Sequence, residues 1–164
     1  MTKPAVQTID PRQAGLRRLD LQHPLFGADA LARADQALEA LSDDMKRWLH
    51  TDIDRLQDMR LAAEQAGWSH YALEALLGVA HDIKGTGTTY GSPLATRIAA
   101  SLCRAIETDA GKDEAQRDPT LVCAHVDALR ATARDRIDLD AHPIGRAVLV
   151  ALEQRVAALG VAPR

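Results

Sequence analysis

Between Asp29 and Ala66 the chain contains no glycine or proline, and its apolar residues recur every three or four positions. They are Leu31, Ala34, Leu38, Leu41, Met45 and Trp48, continuing through Leu49, Ile53, Leu56, Met59 and Ala63. This spacing lines one face of a helix. It predicts one long amphipathic helix, or two joined near Ser42–Asp44, stopped by Gly67. Ser69 is a suitable N-cap for a second helix with the stripe Ala72, Leu76, Val79, Ile83 and later Tyr90. Ser92 followed by Pro93 predicts a third, burying Leu94, Ile98, Leu102 and Ala105 and stopping before Gly111. Asp118–Pro119 opens a fourth, with Leu121, Val122, Val126, Leu129 and Ile137 on one side. After His142–Pro143 a fifth carries Ile144, Val148, Leu152, Val156 and Leu159.

Four or five amphipathic helices with short connections predict an all-α protein, an antiparallel four-helix bundle with an additional C-terminal helix. Residues 1–28 hold Pro4, Pro11, Gly15, Pro24 and Gly27 and read as an irregular arm, with a short turn of helix around Leu16 to Leu21. Residues 29–140 form the bundle, and 141–164 the additional helix, which packs on it or mediates dimerisation. No fixed-period repeat points to a solenoid.

Composition narrows the function. The 164 residues suffice for one core. A net charge of −3 without a basic stripe, and only 3% aromatics, argue against a nucleic-acid partner. No apolar run reaches membrane-spanning length, and no signal-peptide pattern opens the chain, so the expectation is a cytoplasmic protein that uses no membrane. Cys103 and Cys123, the two cysteines, form no CxxC pair and read as small buried apolar residues.

The chemistry gathers in the second helix, in "AHDIKGTGTTYG". At about 100° per residue, His81 lies roughly 200° from both Val79 and Ile83, so it faces outward. Leu77 is one turn before it, Lys84 and Gly85 one turn after, and Thr88 a turn beyond. An exposed neutral imidazole is a nucleophile. Lys84 places an ammonium where a phosphoryl group on His81 would carry negative charge. Glycine costs a helix interior about 1 kcal/mol relative to alanine, a cost that close approach of another body to the backbone would explain. Other phosphate motifs fail in detail. A P-loop needs GxxxxGK[ST] after a strand, whereas Lys84–Gly85–Thr86 reverses that order, and "GTGTTYG" has Tyr90 where GxGxxG requires glycine. Asp82 points elsewhere on the helix, and His50, His70, His125 and His142 are scattered, so no metal site is expected.

The stretch "AHDIKGTGTTYGSPLATRIAASLCRAIE" resembles the signature of bacterial histidine-phosphotransfer domains, in which HxxKG precedes a run of small residues, an aromatic residue or leucine, and glycine. Here these are His81, Lys84, Gly85, Thr86 to Thr89, Tyr90 and Gly91. "HVDALRA", from His125, resembles the family's last bundle helix, and the resemblance covers roughly Asp29 to Asp140. It implies that His81 accepts a phosphoryl group from a receiver-domain aspartate or a histidine kinase and passes it on. It also implies that Lys84 steadies the phosphate and that Gly85 clears room for the partner. The partners implied are response-regulator receivers and a histidine or hybrid kinase. Mg²⁺ comes with the receiver, so this chain binds no cofactor of its own and is not an ATP-using enzyme. Leu77, Gly78, Gly87, Thr88, Arg97, Ser101 and Arg104 are the expected partner contacts. The group that orients the imidazole in many members would fall at Cys103 or Glu107, with water or Ser101 as substitutes. Two rivals remain: the same bundle binding a receiver or kinase without being phosphorylated, and an enzyme using His81 as a general base. The second would need a cleft with another catalytic group.

Overall fold

A computed structural model describes residues 27–139 and 141–160. Among these residues there are six helices and no strand: α1 (Ala28–Gln65), α2 (His70–Thr86), α3 (Pro93–Ile106), α4 (Asp109–Arg117), α5 (Thr120–Arg134) and α6 (Pro143–Leu159). The protein is therefore all-α. The expected arm, residues 1–28, lies outside the described residues up to position 26. By packing, the chain falls into two units, residues 1–38 and 39–164.

The described part of the first unit is the opening of α1. Gly27 offers its carbonyl to the N–H groups of Ala30 and Leu31, closing the first turn. Every side chain from Leu31 to Leu38 is exposed. This corrects the expected core stripe: Leu31 is 51% exposed, Leu38 64% and, in the second unit, Leu41 41% and Trp48 48%. Burial begins at Leu49. The reason is length. A 38-residue helix runs about 57 Å, against about 26 Å for the 17 residues of α2.

In the second unit, α1 gives Leu49, Ile53, Leu56 and Ala63 to one core with Leu73, Leu76, Val79 and Ile83 of α2. That core continues through Leu94, Ile98, Leu102 and Ile106 of α3, Val122, Val126 and Leu129 of α5, and Leu149, Leu152 and Val156 of α6. α3 packs against α2, α4, α5 and α6. α6 lies on α3 and α5, so the last helix packs within the chain. Gly145 permits that contact. A Cβ there would stand 2.7 Å from Leu94 Cδ2 and 3.1 Å from Ile137 Cγ2.

The ends follow from local chemistry. After α1, Gly67 (φ 60°) and Trp68 (φ 56°) turn left-handed, and the Trp68 N–H reaches back to the Ala63 carbonyl at 2.7 Å. Trp68 thereby becomes buried, which the helical stripes did not anticipate. Ser69 and Ser92 cap α2 and α3 as expected, accepting from the N–H groups of Ala72 and Ala95. Three expectations need correction. α3 does stop before Gly111, at Ile106, but the four or five expected helices become six among the described residues: Gly111 sits in the first turn of α4, where a Cβ would lie 2.2 Å from the Ala105 carbonyl oxygen. Ile137 lies beyond α5, past a left-handed Arg136 (φ 54°), and its N–H bonds the Thr132 carbonyl. In α6, Leu149 is buried while Ile144 is exposed.

Candidate functional site

α2 presents its apolar stripe inward through Leu73, Leu76, Val79, Ala80 and Ile83, so the opposite face is open. His81 is exposed there. No hydrogen bond or ion pair within the described residues engages its ring. Gly78 and Gly85 stand one turn before and one turn after it, both exposed, and a Cβ added to either would meet nothing within 4 Å. Neither glycine is there to let a neighbouring helix pack. They leave bare backbone on both sides of the imidazole.

Lys84 is exposed on the flank toward α3, close enough for its charge to act on Cys103. Burial pushes the Cys103 thiol up, Lys84 and Arg104 offset this in part, and Glu107 adds to it. A thiol so buried and so protonated is an inert core group. On the other flank Asp82 faces Arg55 of α1 at 3.8 Å, both ends well exposed, a contact worth little to stability. Asp52 of α1 is raised above the carboxylate range, by burial first and by Asp82 next. Toward the start of α2, α4 borders the same strip: Lys112 pairs with Glu74 at 2.6 Å and Asp113 with His70 at 2.8 Å. The sequence reading missed this flank. Glu74, seven residues before His81 and thus on the same face, was the available signal.

Several expected partner contacts are placed elsewhere. Gly87 is buried: a Cβ there would meet Thr96 Oγ1 at 2.7 Å and the Thr96 nitrogen at 3.0 Å. It is a packing glycine between the end of α2 and the start of α3. Ser101 is fully buried and bonded to His125 Nε2 at 3.0 Å, so its hydroxyl cannot orient His81. Arg97 and Arg104 both reach Glu153 of α6, at 3.7 and 3.5 Å. Leu77 is half-buried against the core, and the Thr88 hydroxyl donates to Thr96 Oγ1 at 3.0 Å. The structure therefore groups His81, Lys84, Gly78 and Gly85, with Leu77 and Thr88 at the edge, and removes Gly87 and Ser101 from the surface.

Comparison of the chain with family models, with curated proteins and with solved structures finds no match in any of the three. The site must be read from its own geometry. Grooves between α1 and α5 are lined by Lys46, His50 and Arg136, and by Ile53, Asp127 and Arg130; His81 lines neither. No three His, Cys, Asp or Glu side chains among the described residues are grouped to hold a metal ion. No described helix is long and apolar enough to cross a membrane.

Gly87 supplies a stability test. Overpacking costs about 1–3 kcal/mol, while replacing a glycine in right-handed helical geometry returns about 0.4–1 kcal/mol. Gly87→Ala is expected to destabilise by about 1 kcal/mol net in urea denaturation. An unchanged midpoint would show that Thr96 yields freely.

Proposed function

We propose that the protein is a histidine-phosphotransfer carrier, a four-helix bundle of the histidine-phosphotransfer kind in which His81 takes a phosphoryl group from a receiver-domain aspartate or a kinase and returns it to another receiver. One observation carries the reading: an exposed imidazole on the outer face of α2, between two exposed glycines with nothing among the described residues within 4 Å of an added Cβ, and a lysine one turn on. A nucleophile that works inside another protein's active site must stand clear of its own surface. In the transfer, a bond forms from a ring nitrogen to phosphorus as the acyl-phosphate P–O bond breaks and the partner's carboxylate is released. Lys84 faces the charge that arrives. The partner supplies the acidic pocket and its Mg²⁺. An exposed histidine outside the α1–α5 grooves favours this over general-base catalysis, which needs a second group in a cleft.

The test is incubation of the full chain with a panel of phosphorylated receiver domains. Label on the chain that is acid-labile and base-stable is the expected result. Failure of every receiver that binds the chain to transfer label would instead favour a binding-only module.

The glycines add a second test. Gly78→Ala and Gly85→Ala fit without contact, and each is expected to raise stability by roughly 0.5–1 kcal/mol. Gly85→Leu is expected to preserve the fold yet slow transfer by tenfold or more. Unchanged transfer by Gly85→Leu would overturn the close-approach account.

A further inference from the structure

Between α1 and α5 lies a cavity of about 390 Å³ that no step of the transfer uses. Lys46 and His50, one turn apart on α1, line it, and so does Arg136 from the turn after α5. None of the three makes a hydrogen bond or an ion pair among the described residues. Neighbouring arginines do: Arg47 pairs with Asp44 and Arg134 with Asp135. The backbone of Arg136 is also unusual. Its φ is 54°, the left-handed geometry in which a side chain has a steric cost that glycine avoids. The turn itself does not call for arginine. Main-chain bonds close it, the Arg136 N–H to the Ala133 carbonyl at 3.3 Å and the Ile137 N–H to the Thr132 carbonyl at 2.9 Å. α6 ends instead on a left-handed glycine, Gly160 (φ 66°). Trp68, the other left-handed side chain among the described residues, is buried in the core. Arg136 is exposed, so burial does not account for it. What its position achieves is a guanidinium in the same cavity as two bases of α1.

We propose that this cavity binds a small hydroxylated phosphate monoester, a sugar phosphate or a nucleoside monophosphate, with the phosphate on Lys46, His50 and Arg136. Three bases from two elements suit the charge and the several acceptor oxygens of a phosphate, and an arginine fork matches its geometry. Leu49 and Ala133 add apolar surface for the body of the ligand. Asp43 and Asp138 line the cavity too. Carboxylates repel a phosphate but accept from hydroxyl groups, which favours a ligand that carries both over a bare anion. The Asp138 carbonyl accepts from the Leu94 N–H at 3.0 Å, so this part of the wall is held in place before a ligand arrives. The volume is that of a small-molecule site.

Titration calorimetry of the full chain with ribose 5-phosphate and with adenosine monophosphate tests this without any receiver, so its outcome is separate from that of phosphotransfer. At least one ester should bind saturably, one per chain, and at least tenfold tighter than inorganic phosphate or ribose. The tighter of the two identifies the source of the phosphate. Arg136→Gly should weaken that binding tenfold or more without lowering the urea midpoint, because glycine removes the base and suits the left-handed turn. Lys46→Gln, on an exposed helix position, should weaken it fivefold or more. Four results would each overturn the proposal: no saturable binding of either ester, binding that either variant retains in full, inorganic phosphate bound as tightly as the esters, or polyglutamate bound in their place, which would assign the cavity to an acidic peptide.

Discussion

His81→Gln is expected to acquire no acid-labile label from any receiver that labels the wild type, and to unfold within about 0.5 kcal/mol of it. Both halves come from the same surface. The imidazole is exposed and makes no hydrogen bond or ion pair among the described residues, so its loss removes none of these contacts. Glutamine is a better helix former than histidine and keeps α2 intact. Its amide cannot form the nitrogen–phosphorus bond, so the effect on chemistry is total. Lys84→Ala tests the companion role. Losing a charge-assisted contact of about 1.5–3 kcal/mol should slow transfer by tenfold or more. Undiminished label on His81→Gln would remove the site, whatever the behaviour of Lys84.

That site was legible because helical geometry is local. Val79 and Ile83 fix the inward side of α2, and the 100° step then turns His81 outward and stacks Lys84 and Gly85 beside it. Ser69, Ser92 and Pro93 marked helix starts because capping uses only the adjacent backbone. What escaped depends on residues distant in sequence. Gly85 and Gly87 look alike in "KGTG", yet one faces open space and the other Thr96. Ser101 shares a stripe with Arg97 and Arg104, yet α5 arrives over it with His125, while α6 draws the arginines to Glu153. α4 escaped notice because propensity cannot see the Ala105 carbonyl against which only a glycine fits at Gly111. Regular spacing from Leu31 to Ala63 gave one uninterrupted stripe. Where burial begins along it was set by the neighbours.

Acidification from above pH 6.5 to about 4 is expected to cost the fold about 3 kcal/mol through His125 alone. This residue is fully buried between α3 and α5, with Nδ1 2.7 Å from the Leu121 carbonyl and Nε2 3.0 Å from the Ser101 hydroxyl. A carbonyl can only accept, so Nδ1 carries the proton and Nε2 accepts from Ser101. The neutral ring satisfies both atoms, whereas a charged ring would turn a second N–H toward a hydroxyl now obliged to reverse. Burial is the main force lowering its pKa from 6.5 to about 4; the Leu121 bond works against this and Arg104 adds to it. Below pH 6.5 the unfolded chain takes up a proton that the folded chain refuses. Stability from the neutral ring is therefore whole above 6.5 and drains away as pH falls toward 4. Asp118 and Asp135 sit below the carboxylate range, through hydrogen bonds with Thr120 and Arg134, so their stabilisation is lost only at still lower pH. Asp52, raised by burial, acts in the opposite direction above its ordinary value. Urea denaturation at half-unit pH steps separates these effects. Ser101→Ala/His125→Leu removes donor and acceptor together, a change that can be nearly neutral at pH 7, and it should flatten the curve between 6.5 and 4. A slope there that survives the double substitution would show that another group carries the acid sensitivity.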